Sequence, residues 1–121
     1  MNLIRNILIV GLGGMMGSIL RYLVYQAWGN QSFPFATLLI NVAGSLLIGL
    51  VVGFGSKNGS FAEWQLFLAT GVCGGFTTFS AFSLECVQLL QQNRNIAAVS
   101  YAAASVLCGM LAAFAGFFIS R

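Results

Sequence analysis

Four long apolar stretches constrain this chain more than any other feature of its sequence. They run from about Leu3 to Trp28, Phe35 to Phe54, Ala62 to Leu90 and Ile96 to Ile119. Each reaches the roughly 20 residues that a helix needs to cross the hydrocarbon core of a bilayer. Only 6% of the residues are charged, against about 25% in a soluble domain. The sequence therefore predicts an all-α integral membrane protein with four transmembrane helices, forming a single domain over residues 1–121.

The third stretch is too long for one straight helix across a bilayer. About 29 residues at ~1.5 Å each would reach ~43 Å, whereas the hydrocarbon core is ~30 Å thick. Gly74 and Gly75 lie near its middle, in the segment GGFTTFSAFS, and indicate that the third helix is broken near this pair. Non-helical backbone at membrane depth is tolerated only where it is buried in protein or lines a wet cavity. This segment is therefore a candidate ion site.

Small residues recur at helical spacing in the first two stretches. The first contains Gly13 and Gly17, and the second contains an i,i+4 stripe of Asn41, Ser45, Gly49 and Gly53. Such small-xxx-small faces favour close packing of helix backbones. Asn41 differs from the other members, because an amide at membrane depth needs hydrogen-bond partners.

The basic residues are divided almost evenly between the two sides of the membrane. With four spans, one side carries Arg5, Lys57 and Arg121, and the other carries Arg94 with Arg21 near it. Because the bias that sets orientation is so weak, we expect insertion in both orientations and an antiparallel, dual-topology homodimer surrounded by membrane lipid. The charges are too dispersed for a nucleic-acid partner.

Three classes of function fit a small four-span protein. A small multidrug-resistance-like transporter needs a membrane-embedded carboxylate in its first helix, and this first helix has no Asp or Glu. An anion pathway fits better, because hydroxyl and amide groups donate hydrogen bonds and a broken helix offers new N-terminal amides. A structural membrane subunit leaves the clustered hydroxyls unexplained. The chain has no histidine and no nucleophile–base pair, so the sequence predicts passive transport and no enzyme activity.

Several polar side chains have more than one interpretation from the sequence alone. Arg21 either snorkels to the membrane interface or has a structural or pore-mouth role. Glu85 either pairs with Arg94 or Arg21 or caps the break, and the sequence does not choose between these. Four hydroxyls either bond to carbonyls one turn back or belong to the pathway, namely those of Thr77, Thr78, Ser80 and Ser83.

The segment GGFTTFSAFSLE, with NVAGS in the second stretch and GSILRY in the first, resembles the Fluc (CrcB-type) fluoride channel family, and the resemblance covers the whole chain. It implies an antiparallel homodimer with two pores, which passively and selectively exports fluoride from the cytoplasm across the bacterial inner (plasma) membrane and relieves fluoride toxicity. It also implies a structural Na+ at the dimer centre, which is not transported. The backbone carbonyls of Gly74 and Thr77 would hold this ion.

The same resemblance assigns the residues of the fluoride pore. Phe79 and Phe82 match the family's pore-lining phenylalanines, whose ring edges carry a partial positive charge. Asn41 matches the pore asparagine, and Thr37 lies one turn before it on the same face. The remaining predicted pore residues are Ser80, Tyr101 and Ser105.

Overall fold

Helices form all the regular structure of residues 2–121, which is the part of the chain that the computed structural model describes. In chain order they are α1 (Leu3–Trp28), α2 (Phe35–Gly55), a 3₁₀ turn (Gly59–Phe61), α3 (Ala62–Gln65), a π-helical segment (Leu66–Cys73), α4 (Gly74–Phe76), α5 (Phe79–Gln91) and α6 (Asn95–Ser120). The pieces from Gly59 to Gln91 together form the third span. Within the described part of the chain, four spans are long and apolar enough to cross a membrane. The chain is therefore a multi-pass membrane protein, as the hydropathy predicts.

Glycines bring α1 into backbone contact with the third span. A Cβ atom on Gly13 would lie 2.6 Å from the carbonyl oxygen of Phe67, and one on Gly17 would lie 2.7 Å from the backbone nitrogen of Phe76. The contacts advance in the same direction along both elements, so α1 and the third span run parallel. The predicted close packing of α1 through its small residues is confirmed.

The helices α2 and α6 form a second parallel pair. A Cβ on Gly49 would overlap the carbonyl oxygen of Ala113, and one on Gly53 would lie 2.5 Å from that of Phe117. Each step of four residues on α2 is matched by four residues on α6. Because odd-numbered and even-numbered spans each pair in parallel, the chain passes up and down in alternation, as the short loops require.

The third helix, predicted to be broken near Gly74-Gly75, is interrupted two residues after this pair, and the glycines themselves are helical. Both belong to α4, and Gly74 has helical dihedrals of φ −61° and ψ −38°. The extended residues are Thr77, with ψ 155°, and Thr78, with φ −148° and ψ 119°. Gly75 is needed for packing instead, because a Cβ there would overlap the carbonyl oxygen of Gly14 on α1.

The connection between α5 and α6 is a tight helix end that also binds the α1–α2 loop on the same side of the spans. Asn93 adopts a left-handed conformation with φ 60°, and the backbone of Arg94 donates to the carbonyl of Leu89 at 2.9 Å, which is the Schellman pattern. The guanidinium of Arg94 then donates to the carbonyl of Ser32 at 2.5 Å. The α1–α2 and α5–α6 loops are thereby joined at one end of the spans.

Candidate functional site

The side chain of Asn41 on α2 binds both backbone groups of Thr78, one of the two extended residues. Its Oδ1 accepts from the backbone N–H of Thr78 at 2.9 Å, and its Nδ2 donates to the carbonyl of the same residue at 3.0 Å. A backbone N–H can only donate, so this pair of bonds fixes which end of the amide is which. The predicted need of Asn41 for partners at membrane depth is thus met by the third span.

The hydroxyls near the extended residues mostly satisfy local backbone groups. Thr77 donates to the carbonyl of Cys73 at 2.8 Å, and Ser83 donates to that of Phe79 at 2.9 Å. These two follow the one-turn-back interpretation. Thr78 instead caps α5, because its Oγ1 accepts from the backbone N–H of Ala81 at 3.1 Å. The Ser80 hydroxyl, which is exposed, lies 3.3 Å from that same oxygen.

A groove opens on the surface beside the extended residues. Its volume is about 410 Å³, and several polar groups line it although it lies at the middle of the spans. Asn41, Ser45, Thr70, Gly74, Thr77 and Phe79 are among its lining residues. Gly74 and Thr70 are exposed in the single chain. The groove therefore presents hydroxyls and backbone to the outside of the subunit at a depth where lipid offers no hydrogen bonds.

A second polar cluster is centred on Glu85, which lies on α5 beyond Phe79, the groove residue that begins this helix. Its carboxylate accepts from the hydroxyl of Thr37 at 2.9 Å and from the phenol of Tyr101 at 3.1 Å. Thr37 and Tyr101 are both fully buried. The phenol of Tyr25 lies 2.8 Å from the Thr37 oxygen and acts as the donor there, because the Thr37 proton is directed at the carboxylate.

The interpretations of Glu85 made from the sequence are wrong. It pairs with neither Arg94 nor Arg21, and Thr78, not Glu85, caps α5. Tyr25 was missed altogether. A lone carboxylate in an apolar helix indicates that partners exist, but those partners come from α2 and α6, and the sequence does not fix the register that brings them together.

The Glu85 cluster opens to the end of the spans through a small polar cavity of about 180 Å³. Its walls come from the α1–α2 loop and from the last turns of α5. Tyr25, Gln31, Ser32, Glu85, Gln88 and Gln92 are among the residues that line it. Hydroxyl groups, a carboxylate and amides thus line a cavity that leads from the end of the spans to Glu85.

Two aromatic rings lie between the groove and the Glu85 cluster. The ring centroids of Phe79 and Phe82 are 5.7 Å apart, and that of Phe82 lies 5.2 Å from that of Tyr101. Phe82 is half-buried, whereas Phe79 is 79% exposed. The structure therefore brings Asn41, Phe79, Phe82, Thr37 and Tyr101 into one continuous series.

Arg21 and Ser105 stand apart from this series. The Nε of Arg21 donates to the carbonyl of Gly75 at 3.1 Å, so the half-buried guanidinium caps the end of α4. This contact favours the structural interpretation of Arg21 over simple snorkelling. The Ser105 hydroxyl oxygen is buried and has no hydrogen-bond partner among residues 2–121.

The chain is similar in sequence to known proteins of one family. Residues 8–117 match the family described as CrcB-like protein, Camphor Resistance (CrcB). A fluoride-specific ion channel FluC from Rhizobium meliloti is 48% identical over 122 residues, covering 97% of each chain. One from Flavobacterium psychrophilum is 44% identical over 121 residues, covering 97% of this chain and 98% of the relative. One from Granulibacter bethesdensis is 52% identical over 103 residues, covering 82% and 81%.

Proposed function

Because this chain belongs to the CrcB-like family, we propose that it is a passive channel selective for fluoride. It is an ion channel and not an enzyme. The observation that carries the proposal is near-complete coverage by relatives named fluoride-specific ion channels, at 48% and 44% identity. In this proposal the single domain of residues 1–121 exports fluoride from the cytoplasm across the bacterial inner (plasma) membrane and thereby relieves fluoride toxicity.

The proposed pathway follows the series of polar and aromatic residues between the two cavities. Fluoride would enter at the polar cavity near Glu85, pass Thr37 and Tyr101, and cross the rings of Phe82 and Phe79. Asn41 and Ser80 would then receive it near the groove. Ring edges and the second amide hydrogen of Asn41 attract an anion without placing a permanent cation in its way, whereas the Thr37 and Tyr101 protons are donated to Glu85. Ser105 belongs to the same proposed track on α6.

The energetics require this path to stay partly hydrated. Moving a bare ion into a low-dielectric medium costs tens of kcal/mol, whereas one hydrogen bond to a charged group returns only about 1.5–3 kcal/mol. A few donors cannot replace a full hydration shell. The polar cavity and the groove allow water to accompany the ion up to the phenylalanines, and weak sites along the way favour release as well as entry.

An antiparallel dual-topology homodimer would cover the groove that the single chain leaves open. Thr70, Gly74 and the ring of Phe79 are exposed there, and polar backbone facing lipid is unfavourable. A second copy in the opposite orientation would bury these groups and repeat the path, giving two pores. The even distribution of basic residues supports insertion in both orientations.

A structural Na+, not transported, fits the backbone at the centre of this proposed dimer. In a continuous helix the N–H groups of Thr78 and Ala81 would pair with the carbonyls of Gly74 and Thr77. Here those two N–H groups are bound to side-chain oxygens instead. The carbonyls of Gly74 and Thr77 therefore do not accept the hydrogen bonds that a continuous helix would give them. Carbonyl oxygens are ligands that suit a hard cation. A bound cation would add positive charge beside two anion paths.

Ion efflux from liposomes tests the proposed function. Purified protein is reconstituted, valinomycin clamps the potential, and fluoride and chloride electrodes record efflux in parallel. We expect fast fluoride release with no chloride release. Equal release of both ions, or none from a folded protein, would contradict the proposal.

The two alternative functions predict different results in the same experiment. A multidrug-resistance-like transporter would need a proton gradient and a cationic substrate, and α1 has no carboxylate to couple them. A structural membrane subunit would release neither ion. Fluoride efflux that persists without any proton gradient therefore distinguishes the channel from both alternatives.

A further inference from the structure

We propose that Asn41 and Thr78 are positioning residues for the cation site, in addition to any contact they make with fluoride. The inference rests on the proposed function only in assuming that a cation occupies the carbonyls of Gly74 and Thr77. The side chains of Asn41 and Thr78 make those carbonyls available by binding the N–H groups that would otherwise pair with them.

The first step is the bond between Asn41 and the backbone of Thr78. The Thr78 N–H is the group that a continuous helix would direct at the carbonyl of Gly74. Asn41 accepts it at 2.9 Å and also holds the Thr78 carbonyl at 3.0 Å. By binding both the N–H and the carbonyl of Thr78, the amide holds this residue in its extended conformation, as a neighbouring strand would.

The second step is the cap that Thr78 makes on α5. Its Oγ1 accepts the Ala81 N–H at 3.1 Å, which a continuous helix would direct at the carbonyl of Thr77. Thr78 is buried at 8% exposure, so water does not replace this bond easily. The Asn41 amide and the Thr78 hydroxyl thus each divert one N–H, and each diversion leaves one carbonyl free for a cation.

The arrangement also links the cation site to the anion path. Nδ2 of Asn41 carries two hydrogens, and the Thr78 carbonyl takes one of them. Asn41 lines the groove together with Phe79, so the second hydrogen remains for another acceptor there. A single amide therefore holds the cation-site backbone and offers a donor beside the proposed fluoride path.

Thermal unfolding in detergent at increasing Na+, with N-methyl-D-glucamine keeping ionic strength constant, tests the inference without measuring transport. Thr78→Val removes the hydroxyl at nearly constant volume, and Asn41→Leu removes both side-chain bonds. We expect each to raise the Na+ concentration for half-maximal stabilisation about ten-fold, because a buried N–H group left without its side-chain partner is free to bond to the carbonyl that would hold the cation. Thr78→Ser keeps the hydroxyl, and Ser83→Ala removes a hydroxyl that bonds within its own turn, so both should match the wild type.

The outcomes separate this inference from the proposed function. Unchanged half-maximal Na+ in both Thr78→Val and Asn41→Leu would overturn it, and so would a wild type that Na+ does not stabilise more than N-methyl-D-glucamine does. If Asn41→Leu does not fold, the Thr78→Val and Thr78→Ser pair decides. If Na+ stabilises the wild type but the protein releases no fluoride from liposomes, the proposed channel function is contradicted. The Na+ titrations of the variants would still decide the positioning role.

Discussion

The hydroxyl of Thr37 on α2 donates to the carboxylate of Glu85 on α5 across 2.9 Å. Because Tyr101 donates to the other carboxylate oxygen and Tyr25 to Thr37, these protons all point towards Glu85. The hydroxyls predicted to serve fluoride are thus engaged with a carboxylate in this structure. Three hydroxyl groups and one carboxylate thus join α1, α2, α5 and α6 at the mouth of the proposed path.

Replacing Thr37 with valine should destabilise the protein by about 1–3 kcal/mol. The change keeps the shape of a fully buried side chain but leaves one Glu85 oxygen and the Tyr25 phenol without their partner. Chemical unfolding in detergent, followed by tryptophan fluorescence, measures the loss. Thr37→Ser keeps the hydroxyl and removes one methyl group, so it serves as the matched control. A Thr37→Val variant as stable as the wild type, or no less stable than Thr37→Ser, would show that these hydrogen bonds contribute little to stability.

The two adjacent glycines of the motif should respond differently to alanine. A Cβ on Gly75 would overlap the carbonyl oxygen of Gly14, whereas the nearest atom to a Cβ on Gly74 is 4.0 Å away. Gly75→Ala should therefore separate α4 from α1 and cost about 1–3 kcal/mol of stability. Gly74→Ala should leave the fold of the subunit intact, because Gly74 is helical and exposed.

The two glycine variants also test how the groove is covered. If a second copy packs on it, as proposed, Gly74→Ala should weaken the dimer while the subunit stays folded, since the added methyl group would protrude into the interface. Size-exclusion chromatography with light scattering, over a range of protein-to-detergent ratios, measures the dimer. A Gly74→Ala variant as dimeric as the wild type would argue against close packing at this face.

Hydropathy is sufficient to predict the four spans, because each long apolar stretch satisfies a requirement of the bilayer itself. The predicted second stretch, Phe35 to Phe54, differs from α2 by one residue at its end. The stripe from Ser45 to Gly53 likewise predicts close helix packing from the sequence alone, since small residues at i,i+4 have few uses other than close packing.

The details of the site depend on contacts between helices, which local sequence does not contain. A glycine pair suits both a break and a close approach, and only the contact of Gly75 with Gly14 decides between them. The partners of Glu85 lie 48 and 16 residues away in the chain. The pairing of Asn41 with Thr78 likewise requires the register of α2 against the third span, which no periodicity in either segment specifies.

If the protein inserts in two orientations, the α1–α2 and α2–α3 connections should each face the outside of the cell in part of the population, although they lie on opposite sides of the membrane. Ser60→Cys and Asn30→Cys place a thiol at exposed positions in the α2–α3 and α1–α2 connections. A membrane-impermeant maleimide applied to intact spheroplasts should label about half of each variant, because the weak charge bias favours neither orientation. The parent chain, whose three cysteines lie within the spans, gives the background. Complete labelling of one variant and none of the other would establish a single orientation.

Replacing Phe79 should slow fluoride transport without destabilising the fold of the subunit. Its ring is 79% exposed in the subunit, so Phe79→Ala removes little packing, but it should slow fluoride efflux about ten-fold if the ring edge assists the anion. Phe82→Ala should instead lower stability by about 3 kcal/mol, because Phe82 is half-buried against Tyr101. Leu111→Ala is the control, since Leu111 is 67% exposed on α6 and lies outside the proposed path. Efflux and unfolding are measured on the same preparations. Wild-type fluoride efflux in Phe79→Ala would exclude this ring from the path, whatever its effect on stability.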